Sequence, residues 1–230
     1  RTRGYLSHGR VARTRAVPGT QHERALGEQG AVLVAGIDEV GVGAWAGPLA
    51  VGAVVLAPGR RIYKVRDSKL LDPPRREWLA GRVRERCLDW SLGMSWPAEI
   101  DEVGLSEAIR RAARRCVAGL RLAPDAFLLD GRWNFLGDGA TAVVRGDTES
   151  VSIASASLVA KVARDHLMRS LAGLYPPYCF EANKGYPSPR HRWALLAVGP
   201  SPIHRRRYAP IRRLLEEGLP GRLLPARGEQ

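Results

Sequence analysis

Three apolar runs in this chain end in acid. Val34-Ala35-Gly36-Ile37 leads into Asp38-Glu39, Phe127-Leu128-Leu129 into Asp130, and Val143-Val144-Arg145-Gly146 into Asp147. Short apolar runs of this kind read as buried strands. If those strands neighbour one another, four carboxylates meet at one edge of a sheet. Like charges packed together raise one another's pKa and cost energy unless something positive lies between them. An all-oxygen donor set selects Mg²⁺ or Mn²⁺, and no Cys and His set for structural zinc is offered. With a phosphate-rich partner, the chemistry of such a site is phosphodiester hydrolysis by two ions about 4 Å apart, one activating a water and the other stabilising the leaving oxygen. The competing reading makes each Asp a turn or cap residue.

Gly41, Gly43 and Gly47 follow the acidic pair directly. Such a turn lets bare backbone approach a phosphate or sugar, although glycines also serve turns that bind nothing. No GK[ST] follows, so it is not a P-loop. Arg145-Gly146-Asp147 also spells an adhesion tripeptide, which is discounted in a chain with no secreted character.

The charge balance agrees with a polyanionic partner. Lys and Arg number 36 against 23 acids, a formal net charge of +13 over 230 residues. Arginines cluster locally, as in His204-Arg205-Arg206-Arg207 and in Arg110-Arg111 with Arg114-Arg115. Phosphate neutralisation with counterion release is the physical basis for reading such clusters as nucleic-acid contacts, and a solvated basic surface is the alternative. Cys87, Cys116 and Cys179 are odd in number and lack CxxC spacing, which suggests neither a disulfide framework nor a zinc site and fits a reducing cytoplasm. No apolar run approaches the roughly 18 residues of a membrane span, and the first thirty residues lack the apolar stretch of a secretory signal.

The elements that must position the acids follow from periodicity. Residues 31–37 and 49–56 read as two paired strands. Asp72-Pro73 caps a helix in which Trp78, Leu79, Val83 and Cys87 recur at helical spacing. Leu88, Trp90, Leu92, Met94 and Trp96 alternate with smaller or polar residues, which predicts a strand with those residues on its buried face. Leu105, Ile109, Ala112, Ala113, Cys116, Val117 and Leu120 form one stripe of an amphipathic helix. Residues 127–129 and 140–144 are further short strands, 153–174 a helix buried on most sides, and weaker helices lie near His191 and Ile211. The expectation is an α/β domain with a mixed sheet over residues 31–200. A basic, disordered tail is expected at 1–30, a helical segment at 201–218 and a flexible tail at 219–230.

Several motifs then resemble the ribonuclease HII family. Gly36-Ile37-Asp38-Glu39-Val40-Gly41-Val42-Gly43 with Ala46-Gly47-Pro48-Leu49 resembles its opening motif, Asp67-Ser68-Lys69 its DSK element, and Leu129-Asp130-Gly131 its central aspartate. Gly146-Asp147, Ser152-Ile153-Ala154-Ser155-Ala156-Ser157 and Ala160-Lys161-Val162-Ala163-Arg164-Asp165 resemble its third block. Lys184-Gly185-Tyr186 and the segment from Gly199 to Arg206 complete the family order, so the likeness runs from about Leu33 to Ile211.

The resemblance implies a ribonuclease H-like fold, a mixed five-stranded sheet flanked by helices with a helical C-terminal extension. It implies an endonuclease that cuts the RNA strand of RNA–DNA duplexes, or DNA with embedded ribonucleotides, leaving 5′-phosphate and 3′-hydroxyl ends. Asp38, Glu39, Asp130 and Asp147 take its metal-binding catalytic positions, for Mg²⁺ or Mn²⁺. Gly41, Val42, Gly43, Ser68, Lys69, Lys184, Tyr186, Arg205 and Arg206 take substrate-binding positions, with Tyr186 packing on the sugar and base. A buried structural role competes for Tyr186, and Lys161, Arg164 and Asp165 are divided between bracing their helix and touching substrate. A cytoplasmic monomer is expected. The sequence departs from the family where its Arg between two glycines is Val42, where its second Lys is Leu70, and where its His before Lys-Gly-Tyr is Asn183. The Val42 departure is expected to weaken cleavage at a single embedded ribonucleotide relative to longer RNA patches.

Overall fold

The computed structural model describes residues 18–60, 62, 65 and 71–218. Ser68, Lys69 and both far termini lie outside the described residues. Val34–Val40 (β1) is mostly buried and Leu49–Val55 (β2) is buried throughout. Strands covered on both faces belong in the interior of a sheet. β2 pairs antiparallel with β1 and with Asp89–Ser95 (β3), while Ala126–Asp130 (β4) and Ala140–Val143 (β5) continue beyond β1 in parallel. The order is β3-β2-β1-β4-β5, the mixed five-stranded sheet that the family resemblance implies.

Helices cover both faces. Val151–Ala172 (α6) begins at the Ser150 cap, whose side chain accepts from the Ile153 N–H, and is buried on most sides as its composition predicts. Its backbone lies directly on the sheet. A Cβ at Gly36 would stand 2.1 Å from the Ser152 carbonyl carbon, and one at Gly52 would stand 2.6 Å from the Ala156 oxygen. Those two glycines let the helix cross β1 and β2 closely enough to bring Ser157 to Asp38.

On the opposite face, Leu105–Ala118 (α4) buries Ala108, Ile109, Ala112, Ala113 and Cys116, the expected stripe. Its fit against β3 inverts the strand's predicted orientation. Asp89, Ser91, Gly93 and Ser95 are the fully buried residues, and Trp90 and Leu92 are half-buried beside Leu79 and Val83 of Pro73–Arg86 (α2). The reason is distance: a Cβ at Gly93 would be 1.9 Å from the Ala112 oxygen, so only small side chains fit beneath α4. Ser95 Oγ donates to Ala108 O at 2.9 Å, and Asp89 accepts the backbone N–H groups of Arg121 and Leu122 at 2.6 and 2.9 Å. Polar groups there are buried because they are bonded. The arginines of α4 are also less free than their clustering implies. Arg111 and Arg115 both reach Glu99 of Pro97–Val103 (α3), and Arg110 reaches Glu107.

The N-terminal boundary needs correction. Gln21–Glu28 (α1) is helical, Gly19 bridges to Ser150, and Glu23 Oε1 accepts from Ser150 Oγ at 2.6 Å and the Ser152 N–H at 3.1 Å. A carboxylate over the first turn of α6 is favourably placed against the helix dipole. Residues 18–30 therefore belong to the domain. The C-terminal segment is likewise built in: Ile203 and Ile211, the latter on Ala209–Glu217 (α9), share a cluster with Ala46, Met168 and Phe180.

Candidate active site

The parallel β1–β4 register ends at Ile37 opposite Leu129, so Asp38 and Asp130 come next on adjacent strands at the same sheet edge. The carboxyl ends of parallel strands are where open α/β sheets hold their ligands. Glu39 is the following residue on β1. Asp147 does not sit at a strand end as expected. It lies in the first turn of Gly146–Glu149 (α5), entered through the left-handed Arg145, and its N–H points at Asp130 Oδ1 at 3.4 Å.

Burial dominates the electrostatics. Asp38 is 5% exposed, and its carboxyl is pushed well above the usual range, first by desolvation and then by Asp130, Glu39 and Asp147. A hydrogen bond from Ser157 opposes the shift, and the Glu39 N–H donates to Asp38 Oδ1 at 2.8 Å. Desolvation and Asp130 raise Glu39 in the same way. Glu39 Oε2 is buried with no hydrogen-bond partner. An orphaned carboxylate oxygen beside mutually repelling acids, with only oxygen donors, fits a hard divalent cation. The convergence is partial: among the described residues no three His, Cys, Asp or Glu side chains already form a metal cage.

These acids line a cleft of about 430 Å³. Asp38, Glu39 and Asp130 meet the Gly41-Val42-Gly43 turn and Tyr186 there, as the resemblance implies, while Asp147 stands alongside rather than in the lining. Arg76, Ser157 and Lys161 also line it. The first two were not singled out as site residues. Ser157, Lys161 and Asp165 are spaced by four on α6, which places them on one face and could have revealed the pattern. Asp165 is 5% exposed and pairs with Lys161 at 2.5 Å and Arg76 at 3.7 Å, holding two cations at the cleft.

The turn beside the acids is braced from behind. Gly41 has φ +86°, and a Cβ there would stand 2.1 Å from Arg164 Nε. Fully buried, Arg164 donates to the carbonyls of Pro48, Lys184 and Ala46 at 2.8, 2.9 and 3.2 Å. Arg205, expected at a phosphate, is also fully buried; it donates to Gly47 O at 3.1 Å and Val42 O at 2.9 Å. Tyr208 Oη donates to Val42 O as well. Arg205 is therefore a structural brace, because the turn's inward carbonyls need donors that water cannot supply. Arg206 is exposed, with its backbone N–H held by Asp101 at 2.8 Å. Lys184, also expected at a phosphate, has Nζ turned onto the carbonyls of Glu181 and Ala182, residues of Phe180–Asn183 (α7).

The fold and this edge of acids define the class. Ribonuclease H2 of Pyrococcus horikoshii shares the fold with a TM-score of 0.71 at 28% identity, covering 80% of this chain and 98% of that one. The protein has a ribonuclease H-like fold. The Ribonuclease HII family profile matches residues 35–211. Ribonuclease HII of Thermus thermophilus is 48% identical over 180 residues, 78% of this chain and 88% of the relative. That of Koribacter versatilis is 44% identical over 192 residues, 84% and 76% of the respective lengths. The chain belongs to the ribonuclease HII family of ribonuclease H enzymes. Among the described residues no helix is long and apolar enough to cross a membrane.

Proposed function

We propose that this enzyme hydrolyses the RNA strand of RNA–DNA duplexes, including ribonucleotides embedded in DNA, leaving 5′-phosphate and 3′-hydroxyl ends. The observation that carries the reading is the buried Asp38 carboxyl with Glu39 and Asp130 repelling it and Asp147 beside them, in the same cleft as an open glycine turn. These four carboxylates would hold two Mg²⁺ or Mn²⁺ ions, which when bound activate water and stabilise the leaving oxygen. Ser157 keeps Asp38 oriented through its hydrogen bond. Arg76 and Lys161, anchored by Asp165, present positive charge to a phosphate lying over the acids. The Gly41–Gly43 backbone meets the ribose 2′-hydroxyl, and Tyr186 packs against the neighbouring sugar and base.

Four labelled duplexes test the reading: one ribonucleotide in DNA, a short RNA patch, a full RNA–DNA hybrid, and DNA alone, each with Mg²⁺, Mn²⁺ or EDTA. Metal-dependent cutting on the 5′ side of ribonucleotides, with DNA untouched, supports it. Full activity in EDTA, or duplex binding without cutting under all conditions, overturns it.

A further inference from the structure

We propose that His204 and His191 are positioning residues: a tautomer-locked relay running from Ser201 to the Tyr186 carbonyl, which fixes where the Tyr186 ring stands beside the carboxylates. The inference rests on the reading of Tyr186 as a substrate contact.

Three contacts define the relay. His191 Nδ1 lies 2.8 Å from Tyr186 O, His191 Nε2 lies 2.9 Å from His204 Nε2, and Ser201 N lies 2.9 Å from His204 Nδ1. A carbonyl oxygen only accepts, so His191 Nδ1 carries a proton. A backbone N–H only donates, so His204 Nδ1 is bare. Two neutral rings then leave a proton on His204 Nε2 and a lone pair on His191 Nε2, one proton for their shared contact. Only this pair of tautomers satisfies every contact.

The surroundings keep both rings neutral. His191 and His204 are 0% and 1% exposed, and Tyr178 and Phe180 pack on both. A second proton on His191 would set N–H against N–H at the shared contact, and one on His204 would set its Nδ1–H against the Ser201 N–H. In agreement, burial pulls His191 down and pulls His204 down to about 3.

The relay ends where the cleft begins. Gly185 O, one residue earlier, accepts from the N–H groups of Trp45 and Ala46 at 2.8 and 3.3 Å, so the Tyr186 turn is tied to the glycine loop on one side and the relay on the other. The Tyr186 ring lines the cleft, 5.3 Å from the Arg164 guanidinium carbon. His191 itself is oriented by Ser188, whose side chain caps Pro189–Val198 (α8) through the His191 N–H. A loosened relay leaves the acids intact and lets the ring drift.

Two measurements on the full chain test this. Long-range ¹⁵N correlations of the wild-type histidines at neutral pH read the tautomers without any variant; His191 protonated at Nδ1 and His204 at Nε2 are expected, and the reverse tautomers or a charged ring overturn the relay. Single-turnover cleavage of a duplex with one ribonucleotide is then compared for wild type, His204→Gln, Tyr186→Ala and the double variant, each with its melting temperature. His204→Gln is expected to slow cleavage roughly tenfold in the wild-type background and under about twofold once Tyr186 is Ala, the non-additivity of groups acting as a unit. His191→Asn, which keeps a donor for the Tyr186 carbonyl, is expected to retain more rate than His191→Leu. Additive losses beside an impaired Tyr186→Ala overturn the relay alone, whereas Tyr186→Ala cutting at the wild-type rate overturns the reading of Tyr186 itself.

Discussion

At the floor of the cleft burial and the neighbouring Asp130 carboxylate raise the pKa of Asp38 and Glu39, and Glu39 Oε2 has no partner. Behind the glycine turn the opposite holds. Arg164 directs its donors at three carbonyls, Arg205 and Tyr208 share Val42 O, and the two histidines satisfy each other. Arg205 Nη2 is the exception, buried and unpartnered. Both regions bury charged or polar groups, and the difference lies in who supplies the partner. The brace is completed by the chain's own backbone and adds to stability; the acids are kept at a cost that a bound cation offsets.

The largest effect is expected at the acids. Asp130→Asn is expected to lower single-turnover cleavage by about a thousandfold or more, roughly 4 kcal/mol of transition-state stabilisation, with the fold retained. Circular dichroism beside the rate assay checks both halves, and a variant that cuts within tenfold of wild type would remove Asp130 from the reaction. Arg205→Met should behave the other way, losing about 2 kcal/mol or more of unfolding free energy because Gly47 O loses the Arg205 donor and Val42 O keeps only that of Tyr208. Denaturant unfolding reads this directly, and an unchanged midpoint would mean that the turn holds without its brace.

The brace also predicts a pH response. The folded pKa of His204 is lowered to about 3 from an ordinary 6.5, so its neutral form stabilises the fold fully above 6.5, and that contribution is lost as pH falls toward 3. The stability gap between wild type and His204→Gln should therefore shrink across this window; a constant gap would contradict a neutral relay. The smallest effect concerns the surface. With Arg205 withdrawn into the core, Arg206→Ala alone should flatten the slope of log affinity against log salt by about one unit at most. A slope unchanged by the substitution places Arg206 away from the duplex.

The acids were legible in the sequence because strand-end carboxylates after apolar runs leave a one-dimensional signature. The sheet and α4 and α6 were legible for the same reason, their periodicities being local. Arg205 was misread because its motif gives a charge and a position in the chain, and nothing local says that the turn's carbonyls wait beneath it. β3 was misread because larger residues normally mark the buried face. There the helix approaches so closely that Gly93 and the serines fit and Trp90 does not. Close backbone approach is a property of two elements together, and neither sequence alone contains it. Asp147 was identified as an acid of the site, but the left-handed Arg145 turns the chain into a helix before it, which β-strand composition does not signal.

Melting temperature tests, without any cleavage, whether the acids repel one another until a divalent ion joins them. Wild type and Asp38→Asn are each heated in EDTA and in Mn²⁺ at neutral pH. Asp38→Asn should melt higher than wild type in EDTA, because one buried charge is gone, and should gain little from Mn²⁺, while wild type gains clearly. An Asp38→Asn protein that melts lower in EDTA and is stabilised by Mn²⁺ as much as wild type would contradict the claim.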